Sequence, residues 1–154
     1  YSYFPSKEDL LAMLQHQRRT ITKRILETQI ERESDPIAKL RVAILTHLYL
    51  SEAMQPWFYF SYMEAKNLSK KEQKMAVASE LYTEKLFADI LNQGRSRGCF
   101  LPHDAQLTAS VIKAMVQDWY LKRSKYRRRK ITVDQYAKFL LQFVEAFILN
   151  PAPQ

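Results

Sequence analysis

Glycine and cysteine are scarce in this sequence. Its 154 residues include two glycines and one cysteine. An all-β protein usually needs more turn residues than that. The single Cys99 cannot form a disulfide within the chain, which agrees with a reducing compartment. No apolar run reaches the ~20 residues that a membrane-spanning helix needs, and no signal peptide is visible. We therefore expect a cytoplasmic, largely helical protein that does not bind membranes.

Acidic residues are absent from one strongly basic stretch. The net charge is +8, and residues 122–130 carry seven of the positive charges, so the rest of the chain is close to neutral. The simplest interpretation of this stretch is a solvated loop between two helices. Attraction of nucleic acid, an anionic membrane or an anionic ligand is the alternative. Hydrophobic residues make up 47% of the chain, which argues against disorder. A chain of 154 residues is also long enough to fold as one domain without a metal or a disulfide.

Start and stop signals predict an all-α fold of about six helices. Ser6, Ser69 and Thr132 each precede an acid or glutamine three residues on, which is the capping-box pattern. Gly94 and Gly98 offer two possible ends for the fourth helix. A helix that is apolar on two sides is expected from Pro36, and such a helix is usually central in a bundle. The predicted helices begin near Ser6, Pro36, Trp57, Ser69, Asp104 and Thr132.

The motifs of common enzymes and metal sites are missing as well. His16, His47 and His103 are scattered, and no H-E-x-x-H, C-x-x-C, nucleophile elbow or phosphate-binding glycine loop occurs. An enzyme would need an acid–base pair beside the aromatic segment, with Glu52, Glu64 or His47 as members. We expect no enzymatic activity, no metal and no cofactor.

Aromatic residues are concentrated in residues 57–63, which hold five aromatics and a methionine. One helix face cannot bury all of them, so some must line a cavity, an interface or solvent. Ligand pockets are mostly apolar with a few polar groups, but ordinary core packing explains the segment equally well. If a pocket exists, a small hydrophobic effector is expected. Its predicted residues are Tyr49, Trp57, Phe58, Tyr62, Met63, Phe87, Met115 and Trp119.

Two stretches of the sequence resemble the TetR/AcrR family of transcriptional regulators. Residues 1–11, YSYFPSKEDLL, resemble the end of the family's helix-turn-helix signature and the start of the helix that follows it. Residues 90–109 resemble the glycine, aromatic connector and acid-capped helix of many members. The resemblance divides the chain into the tail of the DNA-binding domain, residues 1–5, and a ligand-binding and dimerisation domain, residues 6–150.

This resemblance implies a DNA reader of three N-terminal helices, of which only the tail is present, and a linker helix that begins at Ser6. It implies phosphate contacts for Tyr1, Tyr3 and Lys7, whose groups position a protein on DNA without reading bases. It also implies a homodimer in which the last two helices of each subunit form a four-helix bundle. The expected interface residues are Val111, Met115, Tyr136, Leu140, Phe143, Val144 and Phe147.

The sequence thus favours a homodimeric repressor that binds operator DNA under the control of a small hydrophobic effector. The alternative is an all-helical adaptor that binds a protein or a membrane surface and has no role on DNA.

Overall fold

Seven α-helices and one 3-10 turn make up the computed structural model, which describes residues 6–149. The 3-10 turn is Ala65–Asn67. The all-α prediction is confirmed. The helices are α1, Lys7–Glu31; α2, Pro36–Ala53; α3, Gln55–Met63; α4, Lys70–Ser96; α5, Ala105–Leu121; α6, Arg123–Arg128; and α7, Val133–Ile148.

The predicted caps set where the long helices begin. The Ser6 hydroxyl accepts a hydrogen bond from the Asp9 backbone N–H at 3.1 Å, and the Asp9 carboxylate accepts one from the Ser6 N–H. Thr132 and Gln135 form the same reciprocal box before α7. The Asp104 carboxylate caps α5. Each cap satisfies N–H groups that have no partner within the helix.

The helix α2 is the centre of the fold. Leu40, Ala43, Ile44 and Leu48 are at most 2% exposed, and α2 packs against α1, α4, α5 and α7. This arrangement agrees with the two apolar faces in its sequence. By contrast, the residues that α1 buries are mostly polar, so the seam between α1 and the rest of the bundle is unusually hydrophilic.

The connector between α4 and α5 is held by close packing at Gly94. Helix α4 runs through Gly94 and ends at Ser96, while Gly98 takes the left-handed conformation with φ 75°. A Cβ on Gly94 would lie 2.1 Å from the Phe100 ring, so only glycine lets Phe100 pack there. The Leu101 N–H then donates to the Ile148 carbonyl at 2.7 Å, which ties the connector to α7.

The basic stretch forms a short helix, so the prediction of a solvated loop is wrong for residues 123–128. Its organising residue is Tyr126, which is 8% exposed. The Tyr126 ring lies 5.1 Å from that of Trp119 and 5.2 Å from that of Tyr136, and its hydroxyl donates to Asp118. Salt bridges from Lys122 and Lys125 to Asp118, and from Arg123 to Glu52, also hold this stretch.

Candidate functional site

A cavity of about 320 Å³ lies between the N-terminal half of α1 and the rest of the bundle. Five helices and the 3-10 turn contribute to its wall. The lining residues are Gln15, Arg18, Arg19 and Thr22 of α1; His47 of α2; Phe58, Ser61 and Tyr62 of α3; Ala65 of the 3-10 turn; Ala76, Ser79, Glu80 and Thr83 of α4; and Lys113, Gln117 and Tyr120 of α5.

Arg18 projects from α1 along this wall and is held by two contacts. Its Nε donates to the Ser61 hydroxyl at 3.1 Å, and its guanidinium carbon lies 4.7 Å from the centre of the Phe58 ring. Within residues 6–149, no carboxylate oxygen lies within 4 Å of the Arg18 guanidinium. Burial lowers the pKa of Arg18, although a guanidinium stays protonated in proteins. Arg18 is therefore a positive charge without a direct carboxylate partner.

The other two cations of the cavity are paired with acids. Lys113, 4% exposed, lies 2.8 Å from a Glu80 carboxylate oxygen. It also donates to the Glu80 carbonyl at 2.9 Å. Arg19, 7% exposed, lies 3.5 Å from Glu72. These pairs reduce the cost of burying two charges.

Three buried polar atoms of this wall have no hydrogen-bond partner among the described residues. They are Nε2 of Gln15, Nη1 of Arg19 and Nδ1 of His47. Burial, together with the positive charges of Lys113 and Arg18, lowers the pKa of His47 to about 3, so its imidazole is neutral at physiological pH. Buried polar groups in proteins nearly always have a partner. These atoms are thus available to a molecule that enters the cavity.

The eight predicted pocket residues do not surround one cavity. Phe58 and Tyr62 line the α1 cavity, and the other six lie elsewhere. Tyr49, Trp57 and Met63 are between 40% and 49% exposed. A helix of nine residues can turn only one side to the bundle, and Phe58 is the residue that α3 buries.

The remaining three predicted pocket residues belong to the core. Phe87 is fully buried, and Met115 packs at the edge of the same cluster. The indole N–H of Trp119 donates to Glu52 at 2.8 Å. Sequence reasoning also missed the polar half of the cavity, because a charged residue in a helix ordinarily faces solvent. The one visible signal is Arg18, which interrupts the apolar stripe of α1.

A second feature is an exposed apolar surface on α5 and α7, which we call the α5–α7 face. Its residues share helical spacing and are between 48% and 64% exposed. The Phe139 and Phe143 rings stack with their centres 6.3 Å apart. The groove beside this surface has a volume of about 340 Å³. The α5–α7 face comprises Leu107, Val111, Phe139, Phe143 and Phe147.

Four residues expected at the interface lie inside the subunit or at its edge. Leu140 and Val144 are 2% and 3% exposed, so their assignment to an exposed seam is corrected. The Tyr136 ring lies 4.9 Å from the Trp119 ring at an angle of 34°, and its hydroxyl donates to the Met115 carbonyl. The cause is the helical period: positions 140 and 144 face the core, whereas 139, 143 and 147 face outwards.

The predicted DNA-contacting residues lie at the start of the chain. Lys7 is the exposed first residue of α1, and Tyr1 and Tyr3 fall outside the described residues. Between residues 6 and 149, no helix is long and apolar enough to cross a bilayer. The same part of the chain holds no cluster of three or more His, Cys, Asp or Glu side chains that could bind a metal ion.

A family model for the tetracyclin repressor-like C-terminal domain matches residues 33–144. The chain belongs to this family. Its members are transcriptional regulators. No curated protein sequence matches the chain.

Several solved structures share the fold of this tetracyclin repressor-like domain. The ketosteroid transcriptional regulator KstR2 of Mycobacterium tuberculosis has a TM-score of 0.84 at 20% identity, over 96% of this chain and 76% of that one. The TetR-family regulator PfmR of Thermus thermophilus has a TM-score of 0.77 at 19% identity, over 97% and 75%. AibR, solved with isovaleryl coenzyme A and operator DNA, has a TM-score of 0.76 at 18% identity, over 92% and 75%.

Proposed function

We propose that this chain is the ligand-binding and dimerisation domain of a homodimeric transcriptional repressor, and that an effector in the α1 cavity controls its binding to DNA. The observation that carries the proposal is the position of α1. Four of its residues line the cavity, and the family resemblance makes α1 the link to the DNA reader. In this proposal residues 1–5 are the tail of that reader and residues 6–150 form the regulatory domain.

The two halves of α1 are attached differently, and this allows ligand binding to move it. The C-terminal half is anchored by Leu26, which is fully buried. The N-terminal half is held by polar contacts across the cavity, from Arg18 to Ser61 and from Arg19 to Glu72. If this half of α1 can occupy two positions, each position sets a different spacing of the two DNA readers. A ligand that binds one position more tightly shifts the equilibrium towards that spacing, by as much as its affinities for the two positions differ.

The α5–α7 face, which we propose as the dimer face, supplies the second half of the proposal. Five large apolar residues on one surface of α5 and α7 form a patch of the kind that marks an interface. A two-fold axis through it would bury α5 and α7 of both subunits in a four-helix bundle. Two copies would then present two DNA readers to a near-palindromic operator. AibR in its complex with operator DNA and isovaleryl coenzyme A shows that a protein of this fold binds both kinds of ligand.

The test fills the cavity by mutation, so no effector has to be known. In the protein that carries this chain together with its DNA-reading helices, Ala76→Trp places an indole in the cavity wall. Val77→Trp is the matched control, because Val77 is 58% exposed and lies outside the lining. An operator is first selected from random DNA, and affinity is measured by fluorescence anisotropy.

We expect Ala76→Trp to change the affinity for operator by about 5- to 150-fold, the usual range of allosteric coupling. Val77→Trp should leave it unchanged. Equal affinities of wild type and both variants would show that the cavity is not coupled to DNA binding.

A further inference from the structure

We propose that the effector of the α1 cavity is a small organic monocarboxylate whose carboxyl group binds Arg18. This inference rests on the proposed function, because it takes the α1 cavity to be the effector site.

The charges around the cavity determine the charge of the ligand. Lys113 is neutralised by Glu80, and Arg19 is paired with Glu72. Arg18 is left as one cation without a carboxylate partner. A ligand with a single negative charge therefore balances the charge of Arg18. A phosphate monoester carries a charge of ≈ −1.5 to −2, which is more than this one cation can balance. A neutral ligand would leave Arg18 without a direct carboxylate contact, with only the more distant Glu80 to attract it.

The geometry of Arg18 favours a planar carboxylate. Its Nε is occupied by Ser61, and the Phe58 ring supports one face of the guanidinium. Both terminal nitrogens remain for a ligand. Two parallel N–H donors match the two oxygens of a carboxylate, and such bidentate pairs combine strength with fixed orientation. The contacts to Ser61 and Phe58 hold the group in place before the ligand arrives.

The remaining wall fits the rest of such a molecule. Gln15 Nε2 and Arg19 Nη1 are buried donors without a partner among the described residues, and carboxylate oxygens can accept from more than one donor. Phe58, Tyr62 and Ala76 form an apolar side against which a hydrocarbon or aromatic body can pack. The volume of about 320 Å³ lies at the lower end of the usual range for ligand sites, which indicates a small molecule.

The experiment compares chemically matched probes on the 154-residue chain. Isothermal titration calorimetry measures hexanoate against hexanamide, 3-phenylpropionate against its amide, and hexyl phosphate as a dianion. The test variant is Arg18→Gln. The control is Arg24→Gln, which removes one positive charge from an exposed position of the same helix outside the cavity. Circular dichroism checks that both variants remain helical.

For the wild type and Arg24→Gln, we expect the carboxylates to bind at least about tenfold more tightly than their amides, a typical effect of charge-assisted hydrogen bonds. Arg18→Gln should remove this preference, because it weakens binding of the carboxylates far more than binding of the amides. A preference that survives in Arg18→Gln, or tighter binding of hexyl phosphate than of hexanoate, overturns the inference and leaves the proposed function standing. If neither carboxylates nor amides bind, the inference is overturned, and the proposed function is decided separately by the operator affinities of Ala76→Trp and Val77→Trp.

Discussion

The dimer face and the core face of α7 should respond differently to the same kind of truncation. Phe143 and Leu140 are separated by one helical turn, yet Phe143 is 56% exposed and Leu140 is 2% exposed. Phe143→Ala should therefore weaken the association of two subunits. Leu140→Ala should instead lower the free energy of unfolding of each subunit.

The size of each effect follows from burial. Complete burial of a phenylalanine is worth roughly 1.5–3 kcal/mol. With 56% of Phe143 still exposed in the subunit, dimerisation would recover about half of that value, or ~1–1.7 kcal/mol per copy. The two-fold axis doubles this to ~2–3 kcal/mol, so Phe143→Ala should raise the dimer dissociation constant roughly 30- to 150-fold. Leu140→Ala should cost about 2–5 kcal/mol through the cavity it leaves.

Sedimentation velocity over a series of protein concentrations measures the first effect. Urea unfolding, repeated at several concentrations because the stability of a dimer depends on concentration, measures the second. The assignment of the dimer face is refuted if Phe143→Ala sediments like the wild type. It is equally refuted if the wild type is a monomer at micromolar concentration.

Three further changes test separate parts of the structure. Replacing glycine by alanine in a helix interior usually stabilises a protein by roughly 0.5–1 kcal/mol. Gly94→Ala should instead destabilise this protein by about 1–3 kcal/mol, because the new Cβ meets the Phe100 ring. Thermal unfolding measures the change, and a higher melting temperature would contradict this packing. The pKa of His47 is near 6.5 in the unfolded chain and about 3 in the folded protein. Between these two pH values His47 gains a proton when the protein unfolds, so the free energy of unfolding falls as the pH falls through this range. Urea unfolding should show that the free energy of unfolding falls by about 2 kcal/mol from pH 7 to pH 5. This loss should be absent in His47→Gln. If both proteins lose the same amount, the pH dependence belongs to other groups. In the protein with its DNA reader, Lys7→Ala should weaken binding to all DNA sequences alike. It should also reduce the slope of log affinity against log salt concentration by about 1. A changed base preference in binding assays would contradict a phosphate contact for Lys7.

Most of the fold can be predicted from the sequence, because its signals are local. Ser6, Asp104 and Thr132 cap helices through side chains only three residues away, and such patterns do not depend on tertiary structure. The basic stretch is harder to interpret. Its helix packs through contacts of Tyr126 with Trp119 and of Arg123 with Glu52, and no local pattern indicates those contacts.

The candidate site is less predictable, since it is built across helices that are distant in sequence. Arg18 of α1 contacts Ser61 of α3, and Lys113 of α5 contacts Glu80 of α4. Aromatic density points to residues 57–63, of which Phe58 and Tyr62 do line the cavity. The buried cations are not evident from the sequence, because Lys and Arg are almost never fully buried unless they are paired. Their acidic partners cannot be identified from spacing.

The most direct test of the central claim measures whether a ligand in the cavity moves α1. A spin label at Glu8→Cys, in a Cys99→Ser background, reports the distance between the two α1 helices of the dimer by double electron–electron resonance. We expect hexanoate to shift the distance distribution in this protein and to leave it unchanged when Arg18→Gln is added. An unchanged distribution under conditions where calorimetry shows hexanoate bound would contradict the claim that the cavity controls the spacing of the DNA readers.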